Sequence, residues 1–567
     1  DASSTAADGM VAIGVEALST FNGGNVDSSV AVGEYSLNSL TDGVSSVAVG
    51  TKALRYTTGN YNTAVGADAA YNMTTGDDNV AVGYLALGVA GDASDNVAVG
   101  NKAGRLAVKT QGSVFIGMEA GQFATGSQNV FIGMQAGYGG TTSAPYSSGT
   151  KNTAVGYTAF DAFTTALQVT AIGHQAGSAI TTGGYNTFVG ADAGQNVTTT
   201  LYGVGIGTEA HRGAGANSLI AIGYGALDAT NSTDAMGSIG IGHAALGGMN
   251  SGIGNVAIGY AALGTEDSGD YNTAIGHQAL ATQDRDGTVS NTAVGYKAGY
   301  AVTTGYEATL VGANAGVALT EGFNNTLIGA NVAASLTTGD YNTAIGSNAL
   351  NTEDVGRGTT AVGYNALYSQ NSDSSDEETG NVAVGYEAGK AVTTGTDNTI
   401  IGYKAAHVMT TPDDMTVVGK EALITQVGGT VGRGTHIGFR AGFRQNLASS
   451  VDGNVSIGYT ANFSNITGNA NVSIGYAAGY GVANHSPSNN ISIGYGAAQY
   501  ISTGYQNVAI GNSSFENAKS GSINVIIGQE AGRYTTGSYN TFVGGYSGRG
   551  GETSAPFSSG QYNVALG

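Results

Sequence analysis

A glycine that closes a short β-branched segment recurs 32 times between Gly14 and Gly567, and the interval between successive copies equals 17 in 18 cases of 31. The other intervals range from 16 to 23. Self-similarity at a fixed short period makes the chain a stack of one repeated unit, because no single unit can bury its own apolar face. Counting from the glycine, the residue before it is Val, Ile or Leu in every copy, and the residue three before it is Val, Ile or Thr in every copy. The position between them is Ala in 17 copies. Alternation of this kind is a short β-strand with one β-branched and one small face. Asn stands four before the glycine in 20 copies, and Ala three after it in 27 of the 31 copies that extend so far.

The glycine never varies, so it marks a corner at positive φ or a contact too close for any Cβ. Gly14, Gly66, Gly83, Gly156, Gly276, Gly346 and Gly511 represent these corners. A second glycine lies seven before the first in 18 copies, and all four prolines fall outside the strand. The pattern predicts an all-β fold: a parallel β-solenoid or β-roll of about 32 coils, one continuous array over residues 1–567. At ~4.8 Å per coil it would be about 150 Å long. Val65, Val82, Ile275 and Ile345 before the glycine, with Ala69, Ala86 and Ala279 after it, are expected as the ladders of the core.

Composition removes several classes of function. With 40 acidic against 19 basic residues the net charge is −21, which repels nucleic acid and anionic membrane surfaces. No apolar run approaches the ~20 residues of a helical membrane span. Cys is absent, so disulfides and thiolate chemistry are excluded. No nucleophile elbow, phosphate loop or paired His/Asp constellation appears, and the chain reads as non-enzymatic. His174, His243 and His277 share the position after the glycine. Residues two coils apart stand about 10 Å from each other, too far to share one zinc ion. His436 lies within a strand. Acidic clusters at Asp77-Asp78, Asp284-Arg285-Asp286, 373–378 and Asp413-Asp414 lack the every-coil regularity of calcium-binding β-rolls, so they read as solvated surface; Ca²⁺ is the only cofactor they leave open. Thr occupies the position three before the glycine in 14 copies, an arrangement that on a flat solenoid face can bind ice. Tyr follows the glycine in 11 copies; such rings either stack along the axis or offer faces to sugars.

The coil ladders are fixed by stacking, so specificity is expected in the long loops at 138–151, 368–380 and 548–561. The first and third share a Thr-Ser-Ala-Pro segment followed by an aromatic: Pro145 with Tyr146, and Pro556 with Phe557. The intervals 17, 17, 16 and 23 that lead to Gly156 recur in the same order before Gly567, which suggests larger duplicated blocks within a longer fibre protein.

Segments such as Ser46-Val47-Ala48-Val49-Gly50 and Asn255-Val256-Ala257-Ile258-Gly259 resemble the YadA-like head repeats of trimeric autotransporter adhesins. Similar Asn-Thr-Ala-Val-Gly arrays occur in bacteriophage tail fibres and secreted bacterial fibre proteins. The resemblance implies a left-handed β-roll, three chains side by side, and a surface fibre that binds something. The family's usual coil is shorter than the one in this chain. The expected function is an extracellular structural fibre at a cell surface or on a virion, self-associating as a homotrimer or filament and attaching to a host through its loops. The alternatives are a glycan- or receptor-binding adhesin head, a glycan-cleaving tailspike and an ice-binding solenoid.

Overall fold

The computed structural model describes residues 9–567 apart from 21–27, 42–43, 141–145, 214–215, 233–234, 373, 375–376, 425–432, 445–452, 483–484, 486 and 552–558. The fold is all-β, a parallel β-solenoid with a repeat of about 17 residues. Two compact units, 1–289 and 290–567, are built alike. In the first, three-residue strands run from β1 (Val11–Ile13) through β15 (Val256–Ile258) to β17 (Thr273–Ile275), each paired in parallel with the strand one coil away. A two-residue pair, β16 (Gly269–Asp270) with β18 (Gly287–Thr288), lies beside this ladder. The second unit carries the ladder from β19 (Thr292–Val294) to β34 (Val564–Leu566). Register never slips: Val80 pairs with Val97, Ala81 with Ala98 and Val82 with Val99.

Apart from the first and last strands, each three-residue strand buries its middle residue and leaves its two flanking residues on the outer side. Ala64, Ala81 and Ala98 are fully buried, whereas Val65, Ile275 and Ile345 expose 37–38% and Val82 is half-buried. The expectation that these four residues form the core is therefore corrected. The middle residue of the strand points into the coil, where Ala81, Phe115, Leu310 and Ile400 are alike buried, and the residues on either side of it stand on the outer face. Ala69, Ala86 and Ala279, three after the glycine, have no exposure and line the interior. Further inward positions lie four and seven after the glycine, as with Leu87 and Ala90.

In some coils one interior residue is traded against another. Where the inward strand residue is Phe, the position six residues later is Gly. Phe115 is followed by Gly121, Phe131 by Gly137, Phe188 by Gly194 and Phe542 by Gly548. A Cβ added to Gly137 or Gly548 would sit 2.4 or 2.5 Å from the preceding ring. Where the strand residue is Ala, that later position is Leu in nine of 16 copies, as in Ala48 with Leu54 and Ala344 with Leu350, and Gly in four. In the Phe coils the absent side chain leaves room for the ring.

The corner glycine meets both conditions expected of it. Gly66, Gly346 and Gly511 have φ of +135°, +133° and +131°. A Cβ there would also lie 2.7, 2.5 and 2.6 Å from the carbonyl oxygen of the corner glycine one coil further on. Gly14, Gly83, Gly156 and Gly276 share the conformation, with φ between +132° and +142°. The buried Asn four before the corner closes the opposite side of the coil. Asn79 Oδ1 accepts from the Asn96 backbone N–H at 3.1 Å, and its Nδ2 donates to the Ala93 carbonyl at 2.7 Å. That carbonyl belongs to the position seven before the next corner, which is Gly in 18 copies; a Cβ at one of these, Gly339, would collide with the Gly356 carbonyl.

Candidate interaction surface

The outer surface, not a cavity, holds the residues with chemistry to offer. Its first component is the outward strand face. Thr292, Thr309, Thr326, Thr343 and Thr360 stand on successive rungs. Val294, Val311, Ile328, Ile345 and Val362 stand beside them, two residues along each strand. Parallel pairing holds like side chains over like at the ~4.8 Å strand spacing, so hydroxyl and aliphatic rows run along the unit.

The second component flanks this face. Rings at the position after the corner glycine stack along the axis: Tyr364 on Tyr386 and Tyr386 on Tyr403 at 5.3 Å. Phe439, Tyr459, Tyr476 and Tyr495 stack at 4.9–5.0 Å with planes 4–17° apart. Histidines take the same place: His243 lies between Tyr224 and Tyr260 at 5.1 Å from each, and Tyr260 stacks on His277 at 4.9 Å. His174 stacks on Tyr157 at 5.4 Å, with Nδ1 3.5 Å from the Asp192 carboxylate. These rows are stacks, and stacking decides what they can bind. A ring whose two faces are taken by neighbours has only its edge and phenolic oxygen left, so carriage of sugars on ring faces is confined to the stack ends.

A second aromatic row runs beside the first where Phe443, Phe463 and Tyr480 stack at 4.8–4.9 Å. Between the two rows lies a groove of about 430 Å³ lined by Tyr459, Phe463, Tyr476, Tyr480 and Tyr500. Arg440 closes one end, 5.0 Å over both Phe439 and Phe443, and is held by Glu421 at 2.6 Å.

Charged groups are paired along the axis. Arg533 bonds Glu516 at 2.7 Å and Glu530 at 3.2 Å, and Glu530 also takes Arg549 at 2.9 Å. Glu387 collects Lys390, Lys404 and His407 at 2.9, 3.5 and 3.1 Å. Burial pushes its carboxyl up, but the hydrogen bonds and charges of Lys390 and His407 outweigh this and hold it below the usual value. The acidic clusters are largely structural. Asp77 accepts from the Asn60 N–H, Asp413 accepts from the Thr396 N–H at 3.0 Å, and Asp414 pairs with Arg433. Among the described residues no group of three or more His, Asp or Glu gathers as a metal site, and no helix is long and apolar enough to cross a membrane.

The long loops leave and rejoin the coil. Gly139 N–H still bonds the Asp161 carbonyl, and Ser147 pairs with Ala124. Tyr146 packs its ring 5.7 Å from Phe123. Pro145, Pro556 and Phe557 lie outside the described residues. The 368–380 segment contributes to the interior: buried Ser372 bonds Glu353 through N–H and Oγ at 3.1 and 3.0 Å, and Asn381 donates to Gln370 at 3.1 Å. Sequence reading missed this polar network, whose signal is Glu353 standing seven residues after a corner glycine, where apolar residues are usual. Comparison with known protein families finds no match, and neither does a search of curated proteins.

Proposed function

We propose that the chain is a structural segment of an extracellular fibre, a phage tail fibre or a bacterial surface filament, that assembles side by side with copies of itself, as a homotrimer or filament, and displays loops for attachment. The outward strand face carries this reading. Val and Ile side chains on many of its rungs are 36–39% exposed, although β-branched apolar residues are normally covered. A second copy laid on that face would shield two such rows at once. The absence of Cys and the tight parallel ladder suit an element whose task is mechanical. Light scattering with electron microscopy tests the reading. The expected mass is a whole multiple of the chain mass, with a lateral symmetry axis. Substituting Val311→Lys and Ile345→Lys should leave the β-sheet circular dichroism intact and release monomers. A monomer at all concentrations before substitution rejects the assembly.

A second reading, an ice-binding face, is favoured by one observation: the threonines from Thr292 to Thr360 are on the outward side of five successive strands. Thermal hysteresis that disappears in Thr326→Tyr would support it, and none in the monomeric form would dismiss it.

A further inference from the structure

We infer that the stacked surface tyrosines are sites of oxidative cross-linking, at which a haem peroxidase with hydrogen peroxide joins neighbouring coils of one chain through dityrosine. Three observations converge. The chain contains 31 Tyr but no Cys and no Trp, so one-electron oxidation lacks its two usual competing side chains and is directed to phenols. Tyr364, Tyr386, Tyr403, Tyr459, Tyr476 and Tyr495 expose 43–57% of their surface, within reach of an oxidant. Each then meets a partner of the same kind. Tyr459, Tyr476 and Tyr495 form a triad at 5.0 and 4.9 Å with planes 4–5° apart, and Tyr364, Tyr386 and Tyr403 form another at 5.3 Å.

Parallel in-register rings place equivalent ortho carbons over one another, so two phenoxyl radicals made in one stack are held where coupling occurs. The oxidised enzyme takes one hydrogen atom from each of two phenol O–H groups. The radicals delocalise to the ortho carbons, a Cε–Cε bond forms, and the two displaced ring hydrogens move to the oxygens to restore both phenols. Two tyrosines and one hydrogen peroxide give one dityrosine and two waters. The link fastens coil to coil covalently in a molecule without disulfides.

The geometry also states which residues do not couple. Tyr224 and Tyr260 are separated by His243, which puts them two coils apart, about 10 Å. Tyr56 and Tyr71 meet edge-on at 74° and lack the overlap.

The full chain, dilute enough to be monomeric, is treated with a haem peroxidase and hydrogen peroxide, and linked peptides are mapped by mass spectrometry. Expected are links 459–476 or 476–495 and 364–386 or 386–403, in preference to 56–71, and none between 224 and 260. Tyr476→Phe preserves the stack but removes the middle phenol, so both links of its triad should vanish while those at 364–403 persist. His243→Tyr should create new links to Tyr224 and Tyr260. Appearance of a 459–495 link in Tyr476→Phe, no new link in His243→Tyr, or cross-links found only between chains would overturn the inference. Because the links lie within one chain, failure of lateral assembly and failure of this coupling are read separately.

Discussion

The corner glycine carries two constraints at once, a positive φ and an adjoining carbonyl, so any side chain there is strained and crowded. Gly346→Ala should cost about 2–3 kcal/mol and expose its coil locally; faster amide exchange at residues 343–363 than in distant coils would be the signature. Three other positions per coil also adopt left-handed backbone without being glycine: two and four after the corner, and five before it. Lys52 (φ 58°), Leu54 (φ 50°) and Tyr61 (φ 56°) are examples. Nothing in the residue types warns of these, because Leu, Lys and Tyr have no preference for that conformation; the hydrogen bonds between coils impose it. The partial signal is that Gly recurs among them, as at Gly112, Gly254 and Gly358. Gln506→Gly, at an exposed site with φ 57°, should therefore stabilise by about 1 kcal/mol, read as a higher thermal midpoint. His211 is the opposite case. It occupies an interior position held in most coils by Leu or Gly, fully buried, with neither ring nitrogen hydrogen-bonded. Gly203 and Gly205 make space for it: a Cβ at Gly203 would be 2.9 Å from its ring. Burial pushes the imidazole down to about 4. The unfolded chain takes up its proton near the ordinary value of ~6.5, so stability present above that pH is lost as pH falls from 6.5 toward 4, by up to about 3 kcal/mol. His211→Leu should remove this acid sensitivity and add about 2 kcal/mol at neutral pH. Equal melting shifts in both proteins between pH 7.5 and 4.5 would refute the assignment.

At the scale of the coil, the strand, its corner and the in-register ladder were legible in the sequence, because strict alternation and an invariant glycine leave no other stacking. Which strand face lies inside was not. Alternation separates two faces without orienting them, and the general rule that β-branched residues are core pointed to Val65 and Ile345. The signal the sequence does carry is the Gly that stands six residues after each inward Phe, at Phe115, Phe131, Phe188 and Phe542. Phe131→Ala should cost about 3–5 kcal/mol through the cavity it leaves, and Gly137→Leu should cost a comparable amount through overpacking. Together they recreate the Ala–Leu coil found at Ala48 and Leu54. The double variant should therefore be more stable than the sum of the two losses predicts, with a coupling of about 1–3 kcal/mol in a chemical-denaturation cycle. Additive losses would show that the interior adjusts by some other route. The buried amides behave as part of the same coil: Asn507 takes one bond from Asn524 N–H at 3.1 Å and gives another to the Gly521 carbonyl at 2.8 Å. Asn507→Leu also removes the side-chain bonds to Asn490 and Asn524 and should cost about 2–4 kcal/mol.

For the molecule as a whole, a charge of −21 opposes the side-by-side assembly proposed for the strand face. Added salt shortens the Debye length from ~30 Å at 0.01 M to ~8 Å at 0.15 M, so association should strengthen with ionic strength, and the weight-average mass should rise across that range. A mass that falls with salt would show that ion pairs, not apolar rows, hold the copies together. The regular ladder has a further consequence, for the gene. Each coil contacts its neighbours through the same backbone bonds and the same small interior residues, so stability is close to a sum over neighbouring coils. Unequal recombination that adds or removes one whole coil where Ala–Leu coils abut breaks no contact that the new junction does not restore. A cut between Phe115 and Phe131 separates rings 5.8 Å apart and would be selected against. Chain length can thus drift in whole coils, with crossover points concentrated where the interior is most uniform.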